Sequence, residues 1–150
     1  VIEKRSVRFK IVLNLAQQDE DKAAEKLNMS RAQLQQEQVQ LKQLQDYSAQ
    51  YIADLSGKST QVRASQLINY TSFIQRIHLL QQEQERKIMR AERLVEQTQS
   101  IWQQLYQKRK AIQDLIARYV SEEEAALDKK LQKEIDDLTT QKYSRQNNEN

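Results

Sequence analysis

Few residues of this 150-residue chain are spaced to do chemistry. Gly57-Lys58-Ser59 resembles the end of a phosphate-binding loop, but that motif needs a second glycine five residues earlier, where Ile52 stands, and a preceding strand. His78 is the only histidine and falls on the flank of a helical pattern, which suits a surface residue better than a ligand or base. Asp19-Glu20-Asp21 and Glu122-Glu123-Glu124 supply carboxylates with no His or Cys beside them, so neither run reads as a metal site. The chain has no cysteine, which removes disulfide and thiolate chemistry. A Ser/His/Asp arrangement needs a concave scaffold, and none is in prospect. The expectation is a protein with no catalytic, cofactor-binding or metal residues, hence not an enzyme.

The elements that must carry any function are helices. Proline is absent and Gly57 is the single glycine, so nothing forces a break elsewhere. Gln is the commonest side chain, and with Leu, Lys, Glu, Arg and Ala it loses little rotamer freedom in a helix. Net charge is +3, with 24 basic against 21 acidic residues mixed along the chain. A nucleic-acid partner, which needs a clustered basic face, is therefore not expected. No apolar run approaches the ~18 residues of a membrane span, and the first fifteen residues are too charged for a secretory leader, so a soluble cytoplasmic protein is expected.

Heptads organise the chain. From Leu13, alternate steps of three and four reach Ala16, Glu20, Ala23, Leu27, Ser30, Leu34, Glu37, Leu41, Leu44, Ser48, Tyr51 and Leu55; nine of the thirteen positions are apolar. From Leu67 they reach Tyr70, Ile74, Ile77, Gln81, Gln84, Ile88, Ala91, Val95, Thr98, Trp102, Leu105, Arg109, Ile112, Ile116 and Tyr119; twelve of sixteen are apolar. In a chain only 38% hydrophobic, these two stripes predict an all-α fold, a long antiparallel two-helix coiled coil or α-hairpin with left-handed supercoiling. As a single domain, it should have helix one at about 6–55, a bend at about 57–65, helix two at about 66–141, and a frayed tail at 143–150. Gly57 suits a left-handed C-terminal cap, and Ser59, Thr60 and Ser65 are candidate caps for helix two. A bend centred near residue 61 makes facing residue numbers sum to about 122. Trp102 then falls near Glu20, where Ala16 and Ala23 leave room, Ser30 falls near Ala91, and Glu37 and Gln40 meet Gln81 and Gln84 in a polar layer that could fix register. After Tyr119 the apolar register shifts by one, to Val120, Leu127, Leu131 and Leu138, on a segment that overhangs the shorter helix.

Two surfaces are left over. Beside the seam of helix two run Phe73, Leu80, Leu94, Ile101 and Leu115, joined from helix one by Tyr47. Near the bend, Tyr47, Phe73 and Leu80 form a ridge that a two-helix core cannot fully cover, which points to a protein partner. Leu94, Ile101 and Leu115 could instead build homodimers or bundles, the rod-like alternative. A wider apolar face of an ordinary bundle helix is the plain reading of both. At the other extreme of the sequence, Lys4, Arg5, Arg8 and Lys10 fall near Lys108, Arg109, Lys110 and Arg118, a basic collar suited to an acidic partner, or simply a solvated surface.

The stretches Gln45-Asp46-Tyr47-Ser48-Ala49-Gln50-Tyr51 and Leu67-Ile68-Asn69-Tyr70-Thr71-Ser72-Phe73-Ile74 resemble the FliJ family of flagellar export proteins. The paired Tyr before the bend and the Ile-Asn-Tyr-x-x-Phe-Ile run after it are the most specific part, and the Gln-rich helices, the Trp in mid helix two and the length agree. The resemblance implies a fold similar to the central stalk of rotary ATPases and a place in the bacterial flagellar type III export apparatus, in the cytoplasm and peripherally at the inner face of the inner membrane. It implies as partners the hexameric export ATPase, the cytoplasmic domain of the export gate and export chaperones. Positions matching the family's gate-binding surface are Gln40, Leu44, Tyr47, Tyr51, Phe73, Ile77, Leu80 and Gln84, with Gln84 departing in residue type. Docking to the ATPase is assigned to Lys4, Arg5, Arg8, Lys10, Arg109 and Arg118. The equivalent stalk of a virulence-type secretion system is the remaining alternative.

Overall fold

The computed structural model describes residues 3–57 and 64–149. They form two helices packed against each other in a hairpin, α1 (Arg5–Gly57, 53 residues) and α2 (Ala64–Asn148, 85 residues), with no strand among the described residues. No helix of the described residues is long and apolar enough to cross a membrane.

The heptads decide what is covered. Every seam position expected on α1 is buried or half-buried, and on α2 only Leu67 breaks the pattern, at 58% exposed. The best-covered apolar side chains are Ala16, Ala23, Leu27, Ile77, Ala91 and Ile116, and no large side chain is fully enclosed. Two helices alone cannot surround a side chain, so polar members matter more here than in a thick core. Four polar or charged residues are buried: Ser6, Glu20, Ser30 and Gln84. No buried side-chain nitrogen or oxygen of the described residues lacks a hydrogen-bond partner.

The chain divides into two compact units. One comprises Asp21–Gln104. In it, Gln84 Nε2 donates to the Glu37 carbonyl oxygen at 2.9 Å and to its carboxylate at 2.5 Å, which is the expected polar layer. The hydroxyls of Ser30 and Thr98 share a hydrogen bond at 2.8 Å. The sequence alignment places Ser30 opposite Ala91, and the structure moves its partner one heptad along α2. The other unit comprises Val1–Glu20 with Leu105–Asn150. There Arg109 Nε donates to Glu20 Oε2 at 2.5 Å, and Ser6 bonds Glu123. Glu37 and Gln84 sum to 121, as the bend predicts, whereas Ser30 with Thr98 sums to 128 and Glu20 with Arg109 to 129, so the facing numbers rise away from the connection and Glu20 meets Arg109 in place of Trp102. Apolar heptads barely distinguish small axial offsets; the polar pairs do.

Three further expectations change. Gly57 is the last residue of α1 and has no positive φ, so it is not a left-handed cap. A Cβ there would meet nothing within 4 Å. Ser59 and Thr60 lie outside the described residues, and Ser65 sits inside α2. The tail is helical to Asn148 instead of fraying from Tyr143. No Gly or Pro stops it, the hydroxyls of Thr139 and Thr140 bond back to the carbonyls of Ile135 and Asp136, and Arg145 lies in the last turn, where a cation suits the helix dipole. Finally, the seam keeps its original register as far as Glu123, while Val120, Leu127, Leu131 and Leu138 are all exposed. The shifted apolar set is therefore a separate surface, not a continuation of the seam.

Candidate partner-binding surfaces

Within Asp21–Gln104, an aromatic cluster forms next to the connection between the helices. Tyr47 and Tyr51 are one turn apart on α1, and Tyr70 and Phe73 one turn apart on α2, so each pair shares a helix face. Tyr51 and Phe73 have ring centroids 4.0 Å apart, Tyr51 stacks on Tyr70 at 5.9 Å, and Tyr47 meets the edge of Phe73 at 5.8 Å. Such contacts add about 0.5–1.5 kcal/mol each beyond area burial.

The eight positions matched to a gate-binding surface divide by accessibility. Tyr47 (56% exposed), Leu80 (48%) and Gln40 are open to a partner. Leu44, Tyr51 and Phe73 are half-buried, presenting edges. Ile77 and Gln84 are buried at 6% exposure, and Gln84 is engaged with Glu37. They hold the helices together beneath the surface instead of forming it. The Tyr47–Phe73–Leu80 ridge is thus two exposed side chains around a half-covered ring. Sequence reading missed further exposed apolar side chains near the connection, Ile52, Leu67 and Ile68, at 41%, 58% and 69%, but Ile68 lies roughly 140° around α2 from Phe73 and is not part of the ridge. The available signal was that adjacent Leu67 and Ile68 cannot both point into one seam. Farther along α2, Leu94 and Ile101 are exposed and Leu115 is half-buried. His78 is exposed and exchanges a hydrogen bond with Gln82 at 3.2 Å. No group of three His, Cys, Asp or Glu that could hold a metal occurs among the described residues.

The second surface lies in the other unit, around the start of α1. Lys4, Arg5, Arg8, Lys10 and Arg118 are exposed, as are Lys108 and Lys110. Arg5 places its guanidinium 5.8 Å from the Tyr119 ring centroid, and that ring lies 5.4 Å from Phe9. Arg109 is different. It is half-buried at a seam position, ion-paired to Glu20, bonded to Gln113 at 2.8 Å and stacked 5.1 Å from the Tyr106 ring. Its charge faces a carboxylate of its own chain, so the accessible basic set is the collar without Arg109.

The same unit contains a feature that the sequence reading did not assign. Lys4 precedes the first turn of α1; its carbonyl accepts from the amides of Val7 and Arg8 at 3.1 and 3.2 Å, but its side chain carries no oxygen to cap the free amides. Glu123, from α2, takes that role. Its carboxylate accepts from the Ser6 hydroxyl at 2.7 Å and from the Ser6 amide at 3.2 Å. The hydroxyl hydrogen bond holds the Glu123 carboxyl below its ordinary 4.5; the amide bond and the Lys4 charge act the same way, and partial desolvation opposes them. Extending the heptads outward by seven from Leu13 and Ile116 reaches Ser6 and Glu123, a signal available in the sequence.

No curated protein and no solved structure matches the chain. The model of the family described as Flagellar FliJ protein matches residues 5–148, nearly the whole chain. With that match spanning both helices, the chain belongs to the flagellar FliJ family and is a component of flagellar protein export.

Proposed function

We propose that this chain is a non-catalytic coupling stalk of the flagellar export apparatus. In this reading, the basic surface around the start of α1 docks on the hexameric export ATPase and favours its assembled form. The aromatic surface beside the connection docks on the cytoplasmic domain of the export gate, and export chaperones are carried by the same helices. The observation that supports it is the chemical contrast between two exposed surfaces in separate units: aromatic and apolar at Tyr47 and Leu80 around Phe73, basic at Lys4, Arg5, Arg8, Lys10 and Arg118. A ligand that binds only the assembled ring shifts the assembly equilibrium towards it, so activation needs no catalytic group on the stalk. Peripheral association with the membrane then follows from the gate and not from insertion of this chain.

The test is the triple variant Tyr47→Ala, Phe73→Ala, Leu80→Ala, assayed for gate binding and for ATPase activation separately. Loss of gate binding with activation retained is expected. An equal fall in both, with helicity unchanged, overturns the two-surface stalk.

A further inference from the structure

From Glu124 to Glu149 every described residue is exposed, so the end of α2 is a helix without a partner among the described residues. It is not a featureless one. Leu127, Leu131, Ile135 and Leu138 are 53%, 48%, 58% and 66% exposed, and at ~100° per residue they fall within an arc of about 80°. Val120, 37% exposed, extends the same stripe.

The stripe is symmetric in sequence. Leu127 with Leu138, and Leu131 with Ile135, are each centred within half a residue of Lys133. Two pairs of charges share that centre to within half a residue, with opposite signs: Glu124 mirrors Lys142, and Lys130 mirrors Asp137, while Asp128 has no such mirror. A second copy laid antiparallel across Lys133 would therefore set Leu127 against Leu138, Leu131 against Ile135 and, at both ends and along one flank, acid against base. A parallel copy in register would set Glu124 on Glu124, Lys130 on Lys130 and Lys142 on Lys142, which like charges oppose. We propose that residues 124–142 of α2 are a self-association surface, which pairs antiparallel with the same segment of a second chain. Nineteen residues of two-stranded contact fall at the small end of specific interfaces, so the dimer is reversible and concentration-dependent. This inference does not depend on the stalk reading; it needs only the chain itself.

The experiment is sedimentation equilibrium of the full chain from 1 to about 100 μM, with three charge variants. Lys130→Glu alone and Asp137→Lys alone each put like charges face to face, and are expected to weaken dimerisation about tenfold, the equivalent of 1.4 kcal/mol. Lys130→Glu with Asp137→Lys in one chain restores it. Because the chain has no native cysteine, orientation is read by disulfide formation: a mixture of Glu124→Cys and Lys142→Cys chains cross-links heterotypically, and neither does so alone. All substituted positions are exposed, and unchanged helicity by circular dichroism verifies the fold. A monomer throughout the concentration range, homotypic cross-links, or a double variant as weak as the singles overturns the proposal.

Discussion

The Glu123 carboxylate caps the first turn of α1 across the hairpin, taking the Ser6 hydroxyl at 2.7 Å and the Ser6 amide at 3.2 Å. No acidic residue stands in the first turn of α1 itself, so the anion that the helix N-terminus favours comes from α2. One contact thus fixes where α1 starts along α2.

That contact has a pH signature. Glu123 has a folded pKa below its ordinary 4.5, so its contribution is fully present above about 4.5 and is lost as pH falls through the lower folded value. In Ser6→Ala the main cause of the depression is gone, and the Glu123 carboxyl should titrate closer to 4.5. Carbon-detected NMR titration of the side-chain carboxyls measures this directly. An unchanged midpoint in the variant would show that the hydroxyl does not hold the carboxylate in solution.

The buried Glu20–Arg109 pair should be costly to break and cheap to replace. Glu20 is 7% exposed, and removing Arg109 strands its carboxylate in the seam. Arg109→Ala is expected to cost about 3 kcal/mol, whereas Glu20→Leu with Arg109→Leu should recover most of that loss, because two apolar side chains suit a seam. Urea unfolding at constant m-value is the measurement. A double variant no more stable than Arg109→Ala contradicts the account.

The Glu37–Gln84 layer should trade stability for alignment. Replacing both with Leu removes a buried polar cluster from the seam. The pair variant should melt higher than the wild type, yet hold its helices in a less unique axial alignment. Spin labels on Leu41 and Ile88, both half-buried in the same unit, would report a broader distance distribution. A sharper distribution would assign alignment to other pairs, such as Ser30–Thr98.

Much of this was legible in the sequence, because period seven is a strong signal over long helices. Leu13 to Leu55 and Tyr70 to Tyr119 sit in the seam as the spacing requires. The axial alignment was less legible, since apolar positions three or four apart look alike when one helix slides; Ser30–Thr98 and Glu20–Arg109 had to be seen as pairs. Gly57 misled because its conformational freedom permits a left-handed cap without requiring one. Arg109 is both a charge beside the collar and a seam position, and the seam decides, because Glu20 takes its guanidinium. Among the residues matched to a gate surface, the heptads separate flanking Tyr47 and Leu80, which are exposed, from seam positions Ile77 and Gln84, which are buried; the family resemblance groups the four without regard to burial.

That separation makes the last prediction. Phe73 is half-buried with its ring against Tyr47 and Tyr51, whereas Tyr47 and Leu80 are about half exposed. Phe73→Ala should therefore cost about 2 kcal/mol of hairpin stability, less than the loss of a fully buried ring, while Tyr47→Ala and Leu80→Ala should each cost under about 1 kcal/mol. If the aromatic surface is a docking site, the two exposed side chains should nevertheless weaken binding at least as much as Phe73, since they are what a partner can reach. Thermal melts run beside binding isotherms for the three single variants separate the two effects. Binding losses that simply follow the melting temperatures, largest for Phe73 and negligible for Tyr47 and Leu80, would mean that the cluster serves the fold and the partner binds elsewhere.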